Sequence, residues 1–170
     1  MLAKSFRLTD QMPPFMVFFM NEKPNPFMQA ALDEARAAAR RGEVPVGAVV
    51  VTAGGEILAC AGNRVLELMD PTAHAEMLAI REACRAVGSE RLVDCDLHVT
   101  LEPCAMCAQA IAFARIRRLY YGADDPKGGG VDHGARVFAQ TTCHHRPEVY
   151  GGISARPAEA ILKDFFATRR

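Results

Sequence analysis

Two short segments, His74-Ala75-Glu76 and Pro103-Cys104-Ala105-Met106-Cys107, constrain the fold of this chain more than any other feature. They carry one imidazole, two thiols and one carboxylate. Zinc takes thiolate sulfur at about 2.3 Å and imidazole nitrogen at about 2.0 Å, so His74, Cys104 and Cys107 qualify as ligands to one ion. A fold that uses them must bring the two segments together. The count matters as well. Structural zinc sites are normally closed by four protein ligands, whereas catalytic sites keep a position open for water. Three ligands therefore point to chemistry. Zinc lowers the pKa of a water from 15.7 toward about 7. Glu76, two residues beyond His74, stands near the metal without having to bind it and suits a proton carrier.

Local structure supports this reading. Cys104 and Cys107 share one face if Pro103 opens a helix, where its missing N–H has no intrahelical partner. The positive end of that helix favours deprotonated sulfur. A lone Cys-x-x-Cys is often a redox pair or half of a zinc knuckle. Met106 and the helical pattern of Ala108, Ile111 and Ala112 do not resemble a knuckle, and no second Cys-x-x-Cys exists. A structural zinc site stays open as the alternative. Taken alone, Glu76 would read as a solvated helix charge, and its place beside His74 sets that reading aside.

The 170 residues suit one domain, and half are hydrophobic, enough for a substantial core. The formal net charge is zero, so contact with a polyanion has to come from local patches. Of the six cysteines, Cys60, Cys84 and Cys95 fall in or beside apolar segments and read as small core residues. This usage fits a reducing cytoplasm. Phe15 to Met20 is apolar but far too short to span a bilayer, and no cleavage site follows it, which argues against a membrane or signal segment. Residues 1–19 read as an extension outside the fold. Met20-Asn21-Glu22 reads as a natural start, leaving 20–170 as the domain.

Phe27 to Arg41 reads as an alanine-rich helix ended by Gly42. Val44 to Val51 is a continuous apolar run, as in a strand covered on both faces. Gly54-Gly55 turns the chain into an antiparallel strand over Ile57 to Ala61. A helix is expected from about His74 to Val87 and a strand from Asp96 to Leu101. The Cys104 helix comes next, then a strand at Leu119 to Tyr121. Gly128-Gly129-Gly130 reads as a flexible loop. Pro157 is expected to open a last helix to about Arg169. The strand–helix–strand order implies a parallel crossover. The whole is a mixed α/β sheet with helices on both faces.

With these pieces in place, the sequence resembles the bacterial tRNA-specific adenosine deaminases of the cytidine deaminase-like superfamily. The resemblance spans roughly residues 27–170. Its carriers are Glu43 to Val49, Gly62-Asn63-Arg64, Asp70 to Glu76, Val99 to Cys107 and the ending Asp164 to Arg170. The zinc motifs identify only the superfamily; the longer strings resemble the tRNA branch. The resemblance implies the three-layer cytidine deaminase-like fold with about five strands. It implies hydrolytic deamination of adenosine to inosine at the wobble position of a tRNA anticodon stem-loop. It further implies one zinc per subunit and a homodimer in which both subunits help bind RNA.

Carried onto this chain, the resemblance makes His74, Cys104 and Cys107 zinc ligands, Glu76 the proton shuttle and Asn63 a hydrogen-bonding partner of the purine. From the residues alone, Asn63 is equally a turn residue after the second strand. Asp124 departs from members with a basic residue there, and Asp125 has the chemistry to accept from a ribose hydroxyl. Arg146, Phe165, Arg169 and Arg170 are the candidate RNA contacts, with the Arg115, Arg117 and Arg118 cluster as a further basic patch. The ordinary readings beside these are a solvated helix end, a soluble tail and, for Phe165 and Phe166, anchors of the last helix. Cys143-His144-His145 reads as a loop near the pocket rather than a second metal site. Competing functions are a deaminase of a free base or nucleoside of guanine or cytosine type, and a non-catalytic zinc-stabilised RNA-binding module. The latter has no need of Glu76.

Overall fold

The computed structural model describes residues 25–169. The expected extension 1–19, the expected start at Met20 and Arg170 lie outside them. Helix α1 spans Pro26–Arg40. Asn25 Oδ1 accepts from the N–H groups of Phe27 and Met28 at 3.0 and 3.1 Å, which satisfies two of the free donors of the first turn. Its buried stripe of Met28, Ala31, Leu32, Ala35 and Ala38 follows helical spacing. A hairpin of β1 (Gly47–Thr52) and β2 (Ile57–Gly62) follows. Next come the short α2 (Val65–Leu68) and then α3 (Ala75–Val87), ended by Gly88 at φ 72°. Strand β3 (Cys95–Leu101), helix α4 (Ala105–Phe113) and strand β4 (Arg118–Ala123) complete the crossover. Strand β5 (Glu148–Tyr150) and helix α5 (Ala155–Ala167) close the chain.

The sheet order is β2-β1-β3-β4-β5. Strand β1 is antiparallel to both β2 and β3, while β3, β4 and β5 run parallel. Successive β1 side chains serve opposite faces. Ala48 and Val50 join the larger core with Ala75, Ala79 and Ile111 of α3 and α4. Val49 and Val51 pack with Met28 and Ala31 of α1. The three-layer expectation is met. Close approach of α1 depends on Gly47, where a Cβ would stand 2.0 Å from the Ala31 carbonyl oxygen.

The differences have local causes. The first strand begins at Gly47 rather than Val44. Pro45 has no N–H for a ladder, and the Val46 N–H donates locally to Val44 O. Pro103 does not open α4; Cys104 is its N-cap and Pro103 stands one residue earlier. The last helix starts at Ala155, two residues before Pro157. Strand β5 went unassigned because three residues carry no readable alternation.

His98 points from β3 into the α1 side of the sheet. Its ring stacks on Tyr120 at 4.5 Å and tilts against Phe27 at 5.2 Å. Nδ1 is buried with no hydrogen-bond partner among the described residues. Burial lowers the imidazole pKa to about 4. The unfolded chain takes up this proton near pH 6.5, so between about 4 and 6.5 the unfolded state binds more protons and stability falls as pH falls. We expect His98→Phe to remove about 1–2 kcal/mol of the stability lost between pH 7 and pH 5. Urea denaturation of both proteins at the two pH values measures this; equal acid losses would contradict it.

Candidate active site

Strands β2 and β3 flank β1 and both oppose it, so they run in the same direction and end at one edge of the sheet. Helix α3, reached from β2 through α2, and helix α4, directly after β3, both start there. His74 is the N-cap of α3 and Cys104 the N-cap of α4, with Cys107 one turn into α4. The His74 side chain makes no capping bond to its own helix, so it is free for other work. His74 Nδ1 lies 3.7 Å from Cys104 Sγ and 3.6 Å from Cys107 Sγ. A tetrahedral zinc with ordinary bond lengths separates nitrogen from sulfur by about 3.5 Å, so the three donors fit that ion. They form one group within 4.8 Å, and no fourth His, Cys, Asp or Glu joins it among the described residues.

The electrostatics suit a cation. The hydrogen bond from Cys107 and the neighbouring His74 bring the Cys104 thiol down to about 4, while the Cys107 thiol is pushed up. Glu76 stands in the first turn of α3 and is almost fully buried. Burial chiefly, with the charge on Cys104, raises its carboxyl to about 7, a value suited to both taking and giving protons near neutrality.

These groups open on a cavity of about 510 Å³, lined among others by Asn63, His74, Glu76, Cys104, Phe165 and Arg169. Asn63 is buried, and its Oδ1 accepts from the Ala75 N–H at 2.8 Å, supplying the α3 cap that His74 does not. Its Nδ2 has no hydrogen-bond partner among the described residues, so the side chain offers the cavity an amide donor. Asn63 thus lines the cavity while it caps α3, and it lies in no assigned turn.

A family model described as the cytidine and deoxycytidylate deaminase zinc-binding region matches residues 21–123. The tRNA-specific adenosine deaminase of Agrobacterium fabrum is 59% identical over 144 residues, covering 85% of this chain and 94% of that protein. This chain belongs to that family. The tRNA-specific adenosine deaminase of Bacillus subtilis is 42% identical, covering 85% of this chain and 89% of its own. A solved structure from work on A-to-I editing by tRNA:A34 deaminases aligns with a TM-score of 0.79 and 60% identity, covering 81% and 99% of the two chains. A guanine deaminase from Nitrosomonas europaea shares the fold at TM-score 0.73 and 23% identity. As a family member the chain is a deaminase with a zinc cofactor.

The remaining expected residues of this deaminase divide. Phe165 and Arg169 border the cavity, with the Arg169 guanidinium 3.6 Å over the Phe165 ring and its Nη2 donating to Gly42 O at 3.1 Å. Arg146 does not line the cavity; its Nη2 donates to Gln140 O at 3.4 Å. The loop expected near the pocket is pinned elsewhere. Arg115 donates to His144 O, and His145 Nε2 lies 2.6 Å from Ile116 O, at the end of α4 opposite Cys104. Arg117 and Arg118 sit at the start of β4, the far edge of the sheet, paired with Asp96 and Glu148. That patch is a neutralised face.

Sequence reasoning missed Glu102. Its side chain is fully buried, and it accepts from the N–H groups of Asp125, Val131, Asp132 and His133 and pairs with the His133 ring at 2.7 Å. Burial pushes its carboxyl up, but these donors outweigh burial and hold it below the usual range. The glycine run expected to be flexible is instead packed. A Cβ on Gly129 would stand 2.5 Å from the Glu102 carboxyl, and one on Gly130 2.5 Å from Ala105 N. The signal was available: a lone carboxylate in an apolar junction, followed by a glycine-rich loop whose donors need an acceptor. Asp125, at the cavity wall, spends Oδ1 on the Lys127 and Gly128 N–H groups. We expect Glu102→Gln, which turns an NH₂ toward at least one of these donors, to cost about 2–4 kcal/mol in urea denaturation. A loss under about 0.5 kcal/mol, the ordinary surface level, would contradict the assigned role.

Proposed function

We propose that the chain deaminates adenosine to inosine at the wobble position of a tRNA anticodon, with His74, Cys104 and Cys107 holding one zinc ion and Glu76 moving the protons. The observation that carries this is a buried carboxylate beside a three-donor metal group that opens on a cavity. Zinc bound at these donors supplies a Lewis acid that brings a water toward ionisation near pH 7. Glu76 takes a proton from the attacking water and delivers it to N1 of the purine as oxygen bonds to C6. It then carries a proton to the amine, the C6–N bond breaks, and ammonia leaves; adenosine and water become inosine and ammonia. Asn63 Nδ2 donates to an acceptor on the base edge and orients the ring, its own orientation fixed by the Ala75 N–H. Phe165 and Arg169 border the route by which flanking nucleotides enter.

The working unit of this reading is a cytoplasmic homodimer formed by residues 20–170. Free cysteines throughout accord with a reducing compartment. No helix of the described residues is long and apolar enough to cross a membrane. Leu66, 69% exposed at the cavity wall, and Met69, 91% exposed at the end of α2, support a second copy on that side.

Incubation with an anticodon stem-loop, free adenosine and free guanine, scored for inosine, xanthine and ammonia, tests the substrate. Conversion of the stem-loop far above the others is expected, because remote contacts raise turnover as well as affinity. Faster conversion of guanine would contradict it. Glu76→Ala should retain zinc while losing at least about 10²-fold in kcat; wild-type turnover by that variant would remove Glu76 from its role.

A further inference from the structure

We propose that a second groove, between the C-terminal halves of α1 and α5, binds the phosphodiester backbone of the RNA flanking the target nucleoside. The inference rests on the reading above that the substrate is RNA. The groove holds about 600 Å³ and is lined by Arg36, Arg40 and Arg169, with Asp164 its one carboxylate. It shares Phe165 and Arg169 with the catalytic cavity, so the two spaces are contiguous. A strand leaving the cavity past the Phe165–Arg169 contact enters it directly.

None of the three groove arginines is held in a buried ion pair among the described residues. Arg40 has no ion-pair partner among the described residues and lies exposed at the end of α1. Arg36 stands one turn earlier on the same face. Its partner Asp33 is at 2.7 Å, but both groups are largely in solvent, so the pair is weak and yields to a phosphate. Arg169 is held at the junction by the Phe165 ring and Gly42 O, its guanidinium set before any ligand arrives. By contrast, Arg117 is committed to the half-enclosed Asp96 through two hydrogen bonds. The net charge is zero, so no general field gathers RNA. A local arginine track joined to the cavity supplies the attraction instead, and guanidinium forks suit phosphate oxygens. Such contacts set position and carry no sequence information.

The test is binding of a labelled anticodon stem-loop by fluorescence anisotropy across a salt series, with turnover measured in parallel. Arg36→Ala with Arg40→Ala should weaken binding about tenfold at low salt. The salt slope should become shallower by about 1.4, the share of two single-strand phosphate contacts. The loss should be equal for different loop sequences. Arg85→Ala with Arg91→Ala removes the same charge at exposed positions lining neither space, and should leave the slope unchanged. An unchanged slope in the groove variant, or an equal change in the control, overturns the proposal while wild-type turnover of the stem-loop leaves the function standing. Failure of the wild type to convert any stem-loop overturns both.

Discussion

Ligand atoms from residues 30 and 33 positions apart have to meet within a few ångströms, and strand direction is what allows it. Because β2 and β3 each run antiparallel to the strand between them, their carboxyl ends share an edge. Both following helices start at that edge, and each presents its N-cap side chain to the same point. Anionic sulfur is favoured there by the positive helix ends. Reversing either strand would send one helix start to the far edge, where Arg117 and Arg118 now pair with Asp96 and Glu148.

His74 does not cap α3, so the free N–H groups of that helix need another acceptor. A buried side chain from the end of β2 supplies one, and buried carboxylates hold the neighbouring walls in the same way. Asn63 takes the Ala75 N–H. Glu43 takes those of Leu66 and Glu67, both at 2.9 Å, and anchors α2 at the cavity wall. Glu102 gathers the loop that packs on α4, where Gly130 N donates to Pro103 O at 2.8 Å. Each carboxylate is costly to bury alone and stable only with its full set of donors. The walls of the site are therefore tied to the core by hydrogen bonds that tolerate little rearrangement.

What was legible in the sequence follows from range. The His74 and Cys104 segments, the helices over α1 and α3 and the double-sided strand β1 declare themselves through local spacing and periodicity. The acceptor roles of Glu43 and Glu102 do not, since their partners lie 23 to 31 residues away. Charge clusters misled in the opposite direction. Arg115, Arg117 and Arg118 look like a patch in one dimension, yet cross-strand acids and a loop carbonyl absorb them. Arg36, Arg40 and Arg169 look unrelated in the sequence and converge only when α1 and α5 pack together.

Catalysis at this site requires three protein donors at the metal and no fourth. Zinc K-edge X-ray absorption of the purified protein measures this directly. Two sulfur neighbours near 2.3 Å and two nitrogen or oxygen neighbours near 2.0 Å are predicted, one of the latter being the His74 ring. Four protein ligands, or purified protein without stoichiometric zinc, would contradict the catalytic assignment.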